Sequence, residues 1–371
     1  MNRKIVVLGS LALSLTNFRF QLLKTLVDNG CEVYACAPNA DIEIIEKLTK
    51  IGVHYEHMAI ENTGLNPFKD MFNCWKMAKK LKKLNPDYIL SYTMKPVIYG
   101  SLAAQMAGVK NIYSMITGLG YGFTSQSIKA RIIGIIMSGL LKLSLYYNKR
   151  VFFQNPDDIE IFNIKGILNN KTKTQLINGS GVNLEHYKKT PLPEKFSFLL
   201  IARLIKDKGI YEYVDAAKIV KEKYPEITFN LAGWIDNNPS AIKKHELDKW
   251  VSNGTINFLG KLKDVRPALE NCSVYVLPSY REGTPRTVLE AMATGRAILT
   301  TDAPGCRETV VDGENGYIVP LKDYKTLAAK MIKMIEFPQL NMKMANQSHK
   351  IVTDKYNVNE VNKVILKTMN L

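Results

Sequence analysis

Short apolar segments rich in β-branched residues alternate with longer segments of helical periodicity through the first half of the chain. This alternation predicts parallel strands connected by helices. A sheet built in that way is buried on both faces, so its strands read as nearly continuous apolar runs. The predicted strands of this series are Lys4–Gly9, Glu32–Ala37, Val53–His57, Tyr88–Ser91 and Asn111–Met115.

A second series of apolar strands follows in the other half of the chain. Two such series predict two doubly wound α/β domains in tandem. The length of 371 residues also favours two domains, because a single hydrophobic core stops growing near about 250–300 residues. The strands of the second series are Phe196–Ile201, Ile227–Ala232, Thr255–Leu259, Ser273–Leu277 and Ala297–Thr300.

The segment Lys188–Lys195 (KKTPLPEK) has the composition of a connection between domains, with two prolines and charges of both signs. We place the boundary there, which gives an N-terminal domain over residues 1–190 and a C-terminal domain over residues 191–352. The helical pattern after Leu321 is too long for one more α/β unit. We therefore expect residues 353–371 to form a helix that returns to the N-terminal domain.

The formal net charge of +16 implies an anionic partner, whether a nucleic acid, an anionic lipid surface or a phosphorylated substrate. No Asp or Glu occurs from Tyr88 through Pro156, so the excess positive charge belongs mainly to the first half. The basic residues of this stretch are Lys95, Lys110, Lys129, Arg131, Lys142, Lys149 and Arg150.

The five cysteines are odd in number, and none forms a C-x-x-C pair or a metal-like cluster with the few histidines. These features predict a reducing compartment and no structural zinc. The apolar run in MNRKIVVLGS is too short and too β-branched for a signal peptide. We therefore expect a cytoplasmic protein.

Two basic segments of the first half have amphipathic helical patterns. For Asn66–Leu84 we favour a solvated basic face. Ser127–Arg150 is too short and too interrupted by Lys142 for a membrane span, which needs roughly 20 apolar residues. An interfacial helix and a buried helix of the α/β layer both remain open for this segment.

Two glutamates separated by seven residues, Glu282 and Glu290, follow the predicted strand Ser273–Leu277. A strand that ends in a loop containing Gly and Pro and then opens a helix presents backbone N–H groups that can bind a phosphate. Glu282 lies in that loop, whereas Glu290 lies about one turn into the helix and can face the same cleft. One carboxylate can bind sugar hydroxyls and the other a ribose.

At these residues the chain resembles the retaining glycosyltransferases of family four. Their α/β fold, GT-B, has two Rossmann-like doubly wound domains that face each other across a cleft. The resemblance is carried by Pro278-Ser-Tyr-Arg-Glu-Gly283, by the E-x(7)-E element and by Ala291-Met-Ala-Thr-Gly295. Weaker matches are Leu231-Ala-Gly233, Phe258-Leu-Gly260 with Asp264, and Pro304-Gly-Cys-Arg-Glu308. The element Ile177-Asn-Gly-Ser-Gly-Val-Asn183 departs from the family pattern, with Asn183 where Asp is usual.

The segment Ile201-Ala-Arg-Leu-Ile-Lys-Asp-Lys-Gly209 also resembles the family, whose paired basic residues correspond to Arg203 and Lys208. In the family these residues grip the donor diphosphate and stabilise the charge that builds up on the departing nucleotide. The resemblance therefore implies catalytic roles for Glu282, Arg203 and Lys208. The donor contacts that it implies are Gly9, Ser10, Gly233, Gly283, Thr284, Pro285, Arg286, Thr287, Val288 and Glu290.

No D-x-D motif is present, so we expect no metal and no cofactor, the UDP-sugar being a co-substrate. No G-x-G-x-x-G is present either, which disfavours a nicotinamide dehydrogenase. The family often has a histidine near the end of its fifth strand. This chain has Thr117 and Gly118 there, and we assign no catalytic histidine.

The elements Thr117-Gly-Leu-Gly120 and Asn17-Phe-Arg19, with the basic first half, resemble a subgroup of the family. Its members add N-acetylated sugars to undecaprenyl-diphosphate-linked acceptors in capsule, O-antigen and N-glycan assembly. We thus expect a polyprenyl-diphosphate-linked acceptor and peripheral attachment to the anionic inner face of the cell membrane, and no nucleic acid. The acceptor-side residues are then Asn17, Arg19, Lys95, Thr117 and Gly118.

Two alternative functions remain open. A sugar-nucleotide epimerase on the same scaffold would bind a donor and need no acceptor. A non-catalytic binder of lipid-linked sugar or nucleic acid would account for the charge, although the presence of Glu282, Glu290, Arg203 and Lys208 argues against it.

Overall fold

The computed structural model describes residues 3–60, 67–119, 123, 128–169, 172–236 and 238–371, with only the backbone of residues 67–68 and 128–130. The chain divides into two compact units. The first unit comprises Met1–Ser180 and Val358–Leu371, and the second comprises Gly181–Asn357.

The first unit contains a seven-stranded sheet whose paired strands are all parallel. The sheet order is β3-β2-β1-β4-β5-β6-β7, so the direction of winding reverses between β1 and β4. Its strands are β1 Lys4–Leu8, β2 Glu32–Ala37, β3 Val53–His57, β4 Tyr88–Tyr92, β5 Asn111–Ile116, β6 Arg150–Phe153 and β7 Thr174–Leu176.

Helices cover both faces of this sheet, and the apolar side chains of the strands form two buried clusters, one on each face. A π-helical segment, Pro96–Gly100, leads into the fifth helix. The helices are α1 Ala12–Asn17, α2 Phe20–Asp28, α3 Ile42–Thr49, α4 Pro67–Leu84, α5 Ser101–Met106, α6 Ile128–Leu145 and α7 Pro156–Ile164.

The second unit contains a six-stranded parallel sheet of order β10-β9-β8-β11-β12-β13. The reversal of winding lies between β8 and β11. Its strands are β8 Ser197–Ile201, β9 Thr228–Ala232, β10 Asn257–Gly260, β11 Val274–Leu277, β12 Ala297–Thr301 and β13 Gly316–Val319. Its helices are α8 Ile210–Lys223, α9 Lys244–Ser252, α10 Arg266–Glu270, α11 Arg286–Ala293, α12 Tyr324–Glu336 and α13 Pro338–Lys355.

The boundary after residue 190 that we predicted is wrong, because the second unit begins at Gly181. Val182 and Tyr187 belong to a buried apolar cluster of the second unit. The fully buried Arg296 donates hydrogen bonds to the backbone carbonyls of Thr190 and Pro191. The proline-rich segment is therefore bound to one unit and does not form the connection between the two.

The last helix, α14, spans Val358–Met369 and belongs to the first unit. Its apolar residues share a buried cluster with Leu22 and Leu26 of α2, and Asn362 donates a hydrogen bond of 3.1 Å to Thr25 Oγ1. The return begins at Val358 and not at residue 353, because α13 continues to Lys355.

Candidate active site

Two loops follow neighbouring strands at the point where the sheet of the second unit reverses its winding. Ala202–Gly209 follows β8, and Pro278–Pro285 follows β11. Ligands of doubly wound proteins bind at the carboxyl ends of the strands at such a switch point. The topology therefore marks these two loops as a candidate binding site.

Hydrogen bonds join the two loops. Ser279 Oγ and the backbone N–H of Tyr280 both donate to the carbonyl of Asp207, at 3.0 and 2.9 Å. The Tyr280 hydroxyl donates to Glu212 Oε1 at 2.6 Å, in the first turn of α8. These contacts hold the segment before Lys208 against the segment before Glu282.

Lys208 and Glu282 form an ion pair between the two loops, and both side chains are mostly buried. The backbone of Glu282 is held from the other side, where its N–H donates to the carbonyl of Pro304 at 2.9 Å. Gly305 lies so close that a Cβ on it would be 2.3 Å from the Glu282 carbonyl oxygen. Three loops thus fix one cation and one carboxylate at the switch point.

Helix α11 begins directly after this ion pair, with Pro285 before its first residue. Backbone N–H groups at a helix start attract anions. Val288 and Pro285 are buried, and the Val288 N–H donates to the carbonyl of Pro285 at 3.1 Å. Thr287 hydrogen bonds through its side chain to Tyr275.

Glu290 lies one turn into α11 and is buried. Its Oε1 accepts a hydrogen bond of 2.8 Å from Arg286 Nε, and its carboxylate accepts another from the Tyr187 hydroxyl. Burial raises the pKa of Glu290, and the positive charge of Arg286 and the two hydrogen bonds oppose that rise. The pKa of the Tyr187 hydroxyl is raised by burial and by the neighbouring Glu290.

Arg203 lies apart from this cluster in its described contacts. Its side chain is 47% exposed, and its guanidinium pairs with Asp236 at 3.1 Å, in the loop after β9. Gly233, at the start of that loop, comes so close to the loop after β8 that a Cβ would lie 1.8 Å from the Ala202 carbonyl oxygen. The structure therefore brings Lys208 and Glu282 together and leaves Arg203 facing a different loop.

The switch point of the first unit carries Gly9 and Ser10 after β1 and Thr93 after β4. A side chain at Gly9 would meet the Tyr92 hydroxyl at 2.3 Å. The hydroxyls of Ser10 and Thr93 share a hydrogen bond of 2.9 Å. Lys95 follows Thr93 by two residues, at the start of the helical segment, and pairs with Asp70 at 3.1 Å.

The other acceptor-side residues have mixed surroundings. Asn17 is exposed at the end of α1, and Thr117 and Gly118 follow β5 at the same edge of the sheet. Arg19 is only 3% exposed, donates to Ser180 Oγ at 2.9 Å and lies over the Tyr92 ring. This burial does not favour direct contact of Arg19 with an acceptor. Gly120 lies outside the described residues.

Sequence reasoning missed Tyr187, Asp70 and the pair formed by Tyr280 and Glu212. Tyr187 stands just before a segment that its prolines mark as a connection, and Asp70 lies in a helix with a basic pattern. Contacts made at a distance along the chain have no signal in the local pattern. Only Tyr280 had a local signal, because it lies inside the Pro278–Gly283 motif.

Two family models match the chain. One, described as glycosyl transferases group 1, matches residues 183–351, and the other, glycosyl transferase 4-like, matches residues 10–155. Among solved structures, Anabaena HepE in complex with UDP and glucose superposes with a TM-score of 0.79 over all of both chains at 18% identity. Sucrose-phosphate synthase from Thermosynechococcus elongatus gives 0.80 over 98% of both chains at 18% identity.

Curated relatives of the chain are also named as glycosyltransferases. The chain is 30% identical over 359 residues, 93% of each protein, to the N,N'-diacetylbacillosaminyl-diphospho-undecaprenol alpha-1,3-N-acetylgalactosaminyltransferase of Campylobacter jejuni. It is 26% identical over 315 residues to the Escherichia coli UDP-Gal:alpha-D-GlcNAc-diphosphoundecaprenol alpha-1,3-galactosyltransferase, covering 81% of this chain and 80% of that one. The predicted family and fold class are confirmed: this chain belongs to the family-four glycosyltransferases with the GT-B fold.

Proposed function

We propose that this glycosyltransferase moves a sugar from a UDP-sugar to a saccharide linked to a polyprenyl diphosphate, with retention of the anomeric configuration. The transferred sugar on this proposal is an N-acetylated hexosamine or deoxyhexosamine, as the name of the Campylobacter jejuni relative suggests, although the Escherichia coli relative is named for transfer of galactose. The observation that carries the proposal is the pair of Lys208 and Glu282 in front of α11, at the switch point of the second unit.

The departing UDP leaves with negative charge on its β-phosphate, and preorganised cations and N–H groups stabilise that charge. Lys208 and the backbone of Gly283–Val288 supply both on our proposal, and Glu290 binds the ribose. For Arg203 to take part, its guanidinium must leave Asp236 and pair with the diphosphate instead. The donor role of Gly9, Ser10 and Gly233 stays a prediction, as does transfer without a metal or cofactor.

Glu282 holds the transferred sugar on this proposal, and Glu282→Ala tests it. The variant is expected to lose transfer while it keeps UDP affinity within a few-fold, because Lys208 stays available for the diphosphate. Calorimetric titration with UDP and a radiolabelled transfer assay measure the two quantities. Full transfer activity in the variant would contradict the assignment. Glu314→Ala, at an exposed site of the same unit, is the control.

A panel of UDP-, GDP- and ADP-sugars identifies the donor through the rise in melting temperature that a ligand of the folded state causes. We expect the UDP-sugars to give the largest shift. The same mixtures, incubated without acceptor, test for an epimerase, since only an epimerase would convert one UDP-sugar into another. Such a conversion would contradict transfer as the activity.

Attachment to the anionic inner face of the cell membrane is also part of our proposal, and α6 is the element that supports it. One side of this helix packs into the first unit through Leu141 and Leu145. The other side exposes apolar residues at helical spacing, so the helix is partly buried and partly exposed. The exposed residues are Ile132, Ile135, Ile136 and Leu143, and Tyr146 is exposed just after the helix.

Basic residues flank this apolar face, with Arg131 and Lys142 exposed beside it. On α4, Lys79 lies 3.5 Å from the ring centre of the exposed Trp75. An apolar face flanked by basic side chains is typical of helices that lie in the interface of a bilayer. Among helices in the described part of the chain, none combines the length and apolar content that crossing a bilayer requires.

Vesicle sedimentation tests the membrane part. Replacing Lys129, Arg131 and Lys142 together is expected to weaken binding to phosphatidylglycerol vesicles by about 3 kcal/mol, at roughly 1 kcal/mol per basic residue. The side chain of Lys129 lies outside the described residues. Ile135→Glu should weaken binding as well, and Ile164→Glu is its control because the two residues are 74% and 77% exposed. Unchanged sedimentation of both test variants would contradict membrane attachment.

A further inference from the structure

A small polar cluster lies at the switch point of the first unit. Thr93 directly follows β4, and Lys95 precedes the π-helical segment Pro96–Gly100. Asp70, from the first turn of α4, accepts hydrogen bonds from Lys95 at 3.1 Å and from the Tyr99 hydroxyl at 3.3 Å. Two segments that are distant along the chain, the start of α4 and Lys95–Tyr99, thus meet at one carboxylate.

The Lys95 ammonium is held in place more firmly than a surface lysine. Its side chain is 13% exposed, and that of Asp70 is 4% exposed. Lysine has four flexible side-chain bonds and three N–H donors. Asp70 takes one donor and fixes the direction of the side chain, so the ammonium can offer its other donors at a defined place.

Thr93 has a backbone φ of +68°, a left-handed conformation that is a strong outlier for a β-branched residue. Its hydroxyl shares a hydrogen bond with the buried Ser10 across the switch point. Outliers of this kind collect at binding sites, where the surrounding structure holds them. A π-helical turn next to it is a second feature that is frequent at functional sites.

The charge of the cluster indicates what it can bind. Lys95 and Asp70 cancel, so the cluster gives a phosphate no net attraction. Hydroxyls, an ammonium and a carboxylate together provide both donors and acceptors. A sugar hydroxyl needs both, because each hydroxyl donates one hydrogen bond and accepts others.

We propose that Thr93 and Lys95 bind a hydroxyl of the acceptor saccharide and that Asp70 positions Lys95 for this contact. This inference rests on the proposed function, which supplies the lipid-linked saccharide. Thr93 and Lys95 touch the substrate, Ser10 holds the Thr93 hydroxyl, and Asp70 acts through Lys95. The cluster thereby recognises the sugar of the acceptor and not its diphosphate.

The test compares lipids with and without a sugar, all presented in detergent micelles. The probes are undecaprenyl diphosphate and the two saccharide lipids that the names of the relatives contain, N-acetylglucosaminyl- and N,N'-diacetylbacillosaminyl-diphosphoundecaprenol. The wild type is expected to prefer one saccharide lipid over the bare lipid by about tenfold or more, the value of a good hydrogen bond to a charged group. Equal binding of all three lipids by the wild type would overturn the proposal.

Lys95→Met and Asp70→Asn are each expected to reduce this preference to near parity and to leave binding of the bare lipid within a few-fold. The double variant should match Lys95→Met alone, because Asp70 acts through Lys95. An anion site would behave otherwise: Lys95→Met would weaken all three lipids, and Asp70→Asn would strengthen them. That pattern would overturn the proposal.

Lys110→Met is the matched control, since it removes the same charge just before β5, at the opposite edge of the sheet. Should Asp70→Asn fail to fold, Tyr99→Phe removes one hydrogen bond from the same carboxylate, and a partial loss of preference is expected. An unchanged preference in both Tyr99→Phe and Lys95→Met would also overturn the proposal. The UDP-induced rise in melting temperature separates the two hypotheses, because its absence in the wild type contradicts the proposed function itself.

Discussion

Glu290 is a buried carboxylate whose protonation depends on two neighbours. Burial raises its pKa, while Arg286 and the Tyr187 hydroxyl lower it. Since the folded state then binds the proton more tightly than the unfolded chain, this group's contribution to stability falls as the pH rises through its folded pKa. The ribose contact proposed for Glu290 needs the charged form of the carboxylate, which burial disfavours.

Arg286→Met is therefore expected to raise the pKa of Glu290 further. In the wild type, UDP affinity should fall as the pH drops through the pKa of this carboxylate. In the variant, the midpoint of that fall should move to a higher pH. Calorimetric UDP titrations at a series of pH values upward from the ordinary pKa of a glutamate, about 4.3, locate each midpoint. Arg307→Met, which removes an arginine paired with Asp302, is the control, and an identical midpoint in all three proteins would rule out the role of Arg286.

At the scale of elements, the loops after β8 and β11 depend on one close backbone approach. Gly209 has a φ of +69°, and a Cβ on it would lie 2.1 Å from the Pro278 carbonyl oxygen. Only glycine fits both the conformation and the space. The position of Lys208 beside Glu282 therefore follows from the residue that ends the first loop.

Gly209→Ala measures how much the close approach to Pro278 adds to the cost of a left-handed backbone conformation. Gly254 is the matched control, because its φ is +73° and a Cβ there meets nothing within 4 Å. Gly254→Ala should lower the free energy of unfolding by about 1–2 kcal/mol. Gly209→Ala should cost more and should also weaken UDP binding. Equal losses in urea unfolding, with UDP affinity unchanged in both variants, would contradict the steric argument.

At the scale of the whole molecule, the chain leaves the first unit after Ser180 and returns to it at Val358. Helix α14 then completes the core of the first unit. Ile365 is buried there, whereas Val364 on the same helix is 41% exposed. The C-terminal residues thus contribute to the stability of the first unit.

Ile365→Ala is expected to lower the stability of the first unit by about 2–5 kcal/mol, the usual cost of emptying a buried aliphatic site. Val364→Ala should change stability by less than about 0.5 kcal/mol. Hydrogen exchange resolves the two units, which a single unfolding curve does not. Faster exchange confined to residues 181–357 of Ile365→Ala would contradict this placement of α14.

Local pattern was sufficient for most strands of the two sheets and for one part of the site. Apolar runs and helical periodicity gave the strands β1–β5 and β8–β12, because burial between two helical layers leaves a strong periodic signal. β6, β7 and β13 were missed. The E-x(7)-E element predicted Glu282 and Glu290 because its spacing and loop chemistry are local.

Distant contacts decided the rest. The first boundary lies at Ser180 and not at the predicted residue 190, because Arg296, far along the chain, binds Thr190 and Pro191. The partners of the site residues are equally distant: Asp70 for Lys95, Tyr187 for Glu290 and Asp236 for Arg203. The sequence by itself determined the fold class, the family and the residue types of the site. Only the tertiary structure decided which charges meet, because pairing depends on where loops from different strands end at one edge of a sheet.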